Sequence, residues 1–306
     1  MEPFQKIELR KLRDFGTKFN VTFEFIRQNF KALFSSVLFI SVPFYIVGMM
    51  LITYYQNFVM YNDIGAGNFD GDENAALGLL GNMFSYLMIG YVIIMFGYLL
   101  NVAIVYNVMR LYDEKENPLE ITVGEVWSKV KGDIWKLFGA GILVAIVVVI
   151  GMIVLIIPGL YLAIVLTLIM PIVVFEKKSI GDAFNRCFYL IKDKWWSTFG
   201  LLFVAGMVQG IMGLIFNIPT YIFTFAVTFH RAQNAFMDPP LWQKVGLILS
   251  SSISATGAGL LGVITYTALA FQYFNLVERR DASGLMGRLE NLGKQEGPAV
   301  DPRETY

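Results

Sequence analysis

LFGAGILVAIVVVIGMIVLIIPGLYLAIVLTLIMPIVVF, residues 137–175, runs its whole length without one Asp, Glu, Lys or Arg. A helix packed in a water-soluble core has no reason to exclude charge from every face, whereas a hydrocarbon core of about 30 Å demands it. As one helix the stretch would be about 58 Å long at 1.5 Å per residue, nearly twice that core. Pro158-Gly159 divides it. The proline removes a backbone donor and the glycine accepts a positive φ, so two spans, 137–157 and 160–175, are expected with a tight Pro-Gly turn between them.

Four more stretches are free of charge in the same way: 34–55, 76–109, 197–228 and 245–277. Every charge in the chain falls between the six. Of 306 residues only 16% are charged and 56% are apolar, with formal net charge zero and a single cysteine. Soluble globular chains carry about 25% charge. A disordered tail, a basic nucleic-acid binder and a disulfide-stapled module each need a different composition, so no nucleic-acid partner is expected. The chain reads as an all-α, polytopic integral membrane protein with six transmembrane helices. One transmembrane domain is expected over 1–280, with a polar tail over 281–306.

The placement of Lys and Arg tests this reading with residues it was not built from. Twenty-two of the 24 lie in the N-terminal segment, 110–136, 176–196 and the C-terminal tail; Arg231 and Lys244 are the exceptions. The segment 56–75 has no basic residue and carries Asp63, Asp70, Asp72 and Glu73. A multi-pass protein of the cell membrane, a bacterial inner membrane, with both termini cytoplasmic is expected. About 33 charge-rich residues precede the first apolar run, so no cleavable leader is expected. All five Trp (127, 135, 195, 196 and 242) stand on the approach to a span, where an indole meets both hydrocarbon and water.

Leu12, Phe15, Phe19, Phe23, Ile26, Phe30 and Leu33 recur at helical spacing before the first span; Ile180, Phe184, Phe188, Ile191, Trp195 and Phe199 do so before the fifth. At a constant offset of 165, Gly16, Phe19, Asn20, Phe23, Ile26 and Phe34 meet Gly181, Phe184, Asn185, Phe188, Ile191 and Phe199. A shorter version, Val123-Gly124 through Trp127, Val130, Ile134 and Leu137, precedes the third span. Three repeats of an inner amphipathic helix and a two-span hairpin follow, over about 10–110, 119–175 and 179–278. On these helices Lys18, Arg27, Arg186 and Lys192, with Trp195 and Trp196, are candidates for contact with membrane lipids or a partner protein at the inner face.

The run Ile157-Pro158-Gly159-Leu160-Tyr161-Leu162-Ala163, continuing through Pro171 to Glu176, Ser179-Ile180-Gly181-Asp182-Ala183-Phe184 and Trp195-Trp196, resembles the membrane domain that accompanies some bacterial glycerophosphoryl diester phosphodiesterases. The resemblance covers roughly 150–205 and implies a stand-alone multi-span membrane module without the catalytic barrel.

Chemistry is sparse. One histidine, His230, cannot make an HExxH site, and one cysteine, Cys187, cannot join a zinc cluster on its own. No carboxylate lies within a span. The acidic run Asn68-Phe69-Asp70-Gly71-Asp72-Glu73-Asn74 lacks the spacing of a complete calcium loop and reads as solvated. No enzyme activity, metal or cofactor is expected. The candidate polar groups within the spans are Asn101, Asn107, Gln209, Asn217, Ser251 and Ser254. They read either as interhelical hydrogen-bond partners or as the lining of a polar path. Gly206 with Gly210, and Ala258 with Gly262, are expected to let backbones approach closely, and Pro219 to kink the fifth span. A scaffold or accessory subunit docking partners or lipid at the inner face is the preferred functional expectation. The alternative is a transporter or lipid-handling protein with a path near the fifth and sixth spans.

Overall fold

The computed structural model describes residues 5–59, 73–115, 120–233, 239–282 and 286. The acidic loop through Asp70 and Asp72, and the tail from 283 onward apart from Met286, lie outside the described residues. The elements are α1 (Phe15–Gln28), α2 (Phe30–Asn57), α3 (Glu73–Glu114), α4 (Val123–Val154), α5 (Ile156–Phe175), α6 (Ile180–Ile191), α7 (Trp195–Gln233) and α8 (Leu241–Asp281). The fold is all-α, and six helices, α2, α3, α4, α5, α7 and α8, are long and apolar enough to cross a membrane.

α8 is the hub. From Leu261 to Glu278 nearly every one of its side chains is buried, on all sides of the helix. α7 packs antiparallel along it, and the close approach depends on glycines. A Cβ at Gly246 would fall 1.9 Å from the Phe223 ring, and one at Gly257 2.2 Å from Phe216. Gly259 does the same for α2, where a Cβ would lie 2.2 Å from the Tyr45 ring. The expected Gly206–Gly210 face is not used this way, since a Cβ at either position meets nothing within 4 Å. The aromatic rings of α2 and α7 point at α8, so the missing side chains have to be on α8.

In α2 the turn Val37–Ser41 is π-helical and sits just ahead of Pro43. The wider turn accommodates a ring that would otherwise meet the carbonyl four residues back.

The helix boundaries keep the 165-residue offset seen in the sequence. α1 and α6 start 165 residues apart, as do α2 and α7. Their N-caps correspond too: Asp14 accepts from the Thr17 amide at 2.7 Å and Ser179 from the Asp182 amide at 3.2 Å. Lys18, Thr22, Phe25 and Ile26 are buried on α1; the matching Ala183, Cys187, Leu190 and Ile191 are buried on α6. Of the face read from the sequence, Ile26, Leu33 and Ile191 are buried, while Phe15, Phe23 and Phe30 are exposed. The middle unit departs from the expectation: 123–137 is no separate amphipathic helix but the first half of α4. A capping box of Thr122 and Glu125 starts α4, and no proline or left-handed residue interrupts it before Leu155. α6, by contrast, is bracketed by Lys177 (φ 55°) and Asp193 (φ 65°).

The α4–α5 turn is also shifted. The reversal is made by Leu155 in extended conformation (φ −159°, ψ 138°), and Pro158 sits in the first turn of α5, where a missing N–H costs nothing. Gly159 serves close approach, since a Cβ there would fall 2.6 Å from the Met152 amide nitrogen.

This hairpin lies across the bundle. At one end of α5, Phe175 packs on Tyr273 and Phe274, with ring centroids 5.6 and 4.7 Å apart. Fourteen residues and about 21 Å away along the helix, the Tyr161 carbonyl accepts a hydrogen bond from Trp195 Nε1 at 3.2 Å. One turn beyond Trp195, Thr198 accepts from the Gln272 amide at 2.9 Å. Tyr161 and Phe175 thus both lie near the level of Gln272–Phe274 although about 21 Å of helix separates them, so this part of α5 runs steeply across the direction of α8.

Candidate functional site

The polar groups within the long helices connect helices to one another. Asn101 on α3 donates to the Gly259 carbonyl on α8 at 2.6 Å and faces the Tyr45 hydroxyl at 3.4 Å. Ser251 meets Thr53 of α2 at 2.9 Å. Gln209 on α7 accepts from Thr265 at 2.7 Å and donates to the Ala258 carbonyl at 3.4 Å. Ser254 lies 2.6 Å from Asn217 Oδ1 and 3.1 Å from the Phe216 carbonyl, beside Pro219. Asn107 bonds within its own helix, to the Ala103 carbonyl at 3.0 Å, and Asn217 and Ser251 add bonds of the same kind to the Gly213 and Ile248 carbonyls, both at 2.9 Å. α7 stays helical through Pro219.

The basic end of the molecule is where the elements converge and where charges gather. Asp133 has an 8% exposed side chain and lies between Arg110 at 3.0 Å and Lys177 at 2.8 Å, joining α3, α4 and the α5–α6 turn. Glu114 pairs with Arg110 at 3.4 Å and Lys129 at 2.9 Å. Glu176 receives Arg186 at 3.1 Å, Lys178 at 3.2 Å and the Tyr273 hydroxyl at 3.0 Å. Arg186 reaches on to Asp281, and Arg280 to Asp193 at 3.4 Å. The exposed pairs contribute about 0–1 kcal/mol each. Their value here is to fix α6 against the end of α8.

Lys18 departs most from its expected role. It is 3% exposed and its ammonium donates to Gln272 Oε1 at 2.6 Å, inside the bundle rather than toward lipid headgroups. It occupies the buried face of α1, one turn before Thr22. Burial, then the nearby Arg279, lowers its pKa from the usual lysine value. Arg27 and Lys192 are exposed, as expected. Trp195 is half-buried between Tyr161 and Phe199, while Trp196 is 77% exposed. Cys187 is fully buried and its thiol is pushed up to about 12 by that burial.

A cleft of about 430 Å³ opens on the outward side of α6, lined by Lys178, Asp182, Asn185, Arg186 and Tyr189. The guanidinium groups of Arg186 and Arg280 sit 5.2 and 5.7 Å from the Tyr189 ring centroid, so its floor is cationic and aromatic. Among the described residues no group of three His, Cys, Asp or Glu side chains is placed to hold a metal ion.

Asp133, Glu176, Gln272 and Tyr189 were not singled out from the sequence. One signal was available: Val126, Val130, Asp133 and Leu137 share a helical face, so an acid stands among apolar positions. Gln272 gave no such signal, because its partners Lys18 and Thr198 lie 254 and 74 residues away in the chain, and the Tyr273 partner of Glu176 lies 97 residues away.

A family model described as a domain of unknown function, DUF7847, matches residues 31–276. No curated protein and no solved structure matches the chain.

Proposed function

The chain belongs to the DUF7847 family, and we propose for it a non-enzymatic role: a scaffold or accessory subunit of the cell membrane that holds a partner protein on its basic, cytoplasmic face. The observation that carries this reading is the contrast between the two regions. Inside the bundle the polar side chains are bonded across to neighbouring helices, Gln209 to Thr265 and Asn217 to Ser254. At the basic end, the α6 cleft presents Lys178, Asn185 and Tyr189 outward on a helix fixed by Glu176 and Asp281. A rigid, mixed-charge cleft suits a folded partner better than a diffusing solute. The transporter alternative would need polar groups free to meet a substrate near α7 and α8; the Gln209 and Asn217 amides there are paired, and the buried oxygens without a partner, on Asn101, Gln243 and Thr267, are scattered rather than gathered in one path. The exposed Arg27, Lys192 and Trp196 fit contact with anionic headgroups beside that cleft.

Photo-crosslinking from Asn185 and Tyr189 in intact membranes tests the reading. One adduct of constant mass from both positions, absent from a probe at Phe225 on α7, is expected. No adduct from either position, with a solute-dependent rise in the melting temperature of the purified protein, would favour the alternative.

A further inference from the structure

All six long helices have the length and composition to cross a membrane, but the placement of the α4–α5 hairpin sets a limit on how far it reaches. Trp195 opens α7 directly after Lys192 and Lys194, the position of an interfacial indole at the basic headgroup boundary. Tyr161 is hydrogen-bonded to that indole. Only six residues separate Tyr161 from the turn at Leu155, about 9 Å of helix. Even if those six residues pointed straight down the membrane normal, the turn would stop well short of the far side of a core about 30 Å thick.

The turn has the chemistry of a segment that never meets water. Ile153, Val154, Leu155, Ile156 and Ile157 are between 64% and 81% exposed, and the only polar side chains from 137 to 175 are Tyr161 and Thr167. Part of its backbone is self-satisfied. The Leu155 amide bonds the Gly151 carbonyl at 3.0 Å, the Gly159 amide bonds the Leu155 carbonyl at 3.2 Å, and Pro158 has no amide hydrogen to leave unpaired. Unpaired backbone groups cost several kcal/mol in hydrocarbon, and these two bonds and Pro158 reduce their number at the turn. Where the hairpin stands away from α3, a gap of about 380 Å³ is lined by apolar side chains such as Met95, Phe138, Ile142 and Met170. Such a gap stays dry.

We propose that the α4–α5 hairpin is re-entrant: it enters the bilayer from the basic face, turns at Leu155 within the hydrocarbon and returns to the same face, with lipid acyl chains covering its tip and filling the gap beside α3. The membrane is then crossed in full by α2, α3, α7 and α8. The excess of Lys and Arg beside residues 136 and 176 is the same for a re-entrant hairpin as for two complete spans, so the charge pattern cannot distinguish them. The membrane contact here is a one-leaflet apolar wedge, independent of what the α6 cleft binds.

The test is thiol accessibility in sealed cells and inverted vesicles. Leu155→Cys and Ile153→Cys are made separately on a Cys187→Ala background, with Lys129→Cys and Gln233→Cys as markers of the two faces. The expected result is no reaction of either tip thiol with a charged maleimide from either side. A nitroxide attached there through a membrane-permeant reagent should show relaxation by oxygen well above that by a water-soluble nickel chelate. Labelling of either tip thiol from the face that labels Gln233→Cys would establish two full spans and overturn the proposal. Labelling from the Lys129→Cys face, or a nitroxide reached by neither relaxant, would overturn it as well, placing the tip in water or against protein.

Discussion

The ammonium of Lys18 lies 2.6 Å from the side-chain oxygen of Gln272, 254 residues away, and the amide of Gln272 continues to Thr198. This chain ties α1, α8 and α7 together at the level where α8 is buried on every side. It places a cation in a site with no carboxylate bonded to it.

The pH dependence of Lys18 follows from its lowered pKa. Because the folded state holds this group below the unfolded value of 10.5, the unfolded chain binds more protons just below that pH. Stability contributed by this site therefore rises as pH climbs toward 10.5 and is flat above it. Thermal unfolding in nanodiscs from pH 8 to 10.5 should show a rise for the wild type that Lys18→Met removes. Gln272→Ala, which leaves the ammonium without its acceptor, should cost about 1–3 kcal/mol at neutral pH.

Asp133 should be the most sensitive charge at the basic end. Its removal leaves Lys177 without its carboxylate partner and Arg110, 14% exposed in its side chain, with Glu114 alone. Since Lys177 is 47% exposed and screened by water, Asp133→Ala is expected to cost about 1–3 kcal/mol rather than the full value of a buried pair. Glu114→Ala, on an exposed pair, should cost less than about 1 kcal/mol. Urea unfolding of both variants in the same detergent gives the comparison.

Glycine positions separate by what surrounds them. Gly257→Ala puts a methyl group 2.2 Å from the Phe216 ring and should destabilise the α7–α8 pair by about 1–3 kcal/mol. Gly206→Ala meets nothing within 4 Å and should be neutral or stabilising by up to about 1 kcal/mol, from helix propensity. Equal losses for both would contradict the packing described.

Cys187 should report global unfolding. With its thiol pushed up to about 12, the thiolate fraction at pH 8 is about one in ten thousand. Alkylation by iodoacetamide is expected to be negligible in the folded protein and to appear with the same midpoint as the loss of helical ellipticity.

The long helices were legible in the sequence because hydrocarbon excludes charge from every face, and that signal needs no partner to be read. The starts of α1 and α6 carry a local signal too, since Asp14 and Ser179 are caps three residues ahead of the amides they bond, but the apolar period alone carries the first helix back to Leu12. What could not be read was anything set by a neighbour. Val123–Leu137 has the same amphipathic period as α1, and only the absence of a break separates a surface helix from the lower half of α4. Lys18 and Asp133 carry charge on faces that other segments bury, and although Asp133 stands among apolar positions, period alone does not name the partners that bury either. The steep crossing of α5 over α8 depends on Trp195 meeting Tyr161 and Phe175 meeting Tyr273, contacts that no local pattern encodes. For the candidate site, residue types were legible at Asn217, Ser254 and Arg186, and their pairing was not.

On the proposed reading the polar side chains within the bundle join helices and line no water-filled path. The most direct measurement is the reaction of Gln209→Cys and Ser254→Cys, on a Cys187→Ala background, with a small charged methanethiosulfonate applied to each side of sealed vesicles. No reaction from either side is expected, with a melting temperature lowered by the lost Thr265 and Asn217 partners. Rapid modification of both positions, blocked by a solute that raises the melting temperature, would show an aqueous pathway between α7 and α8 and contradict it.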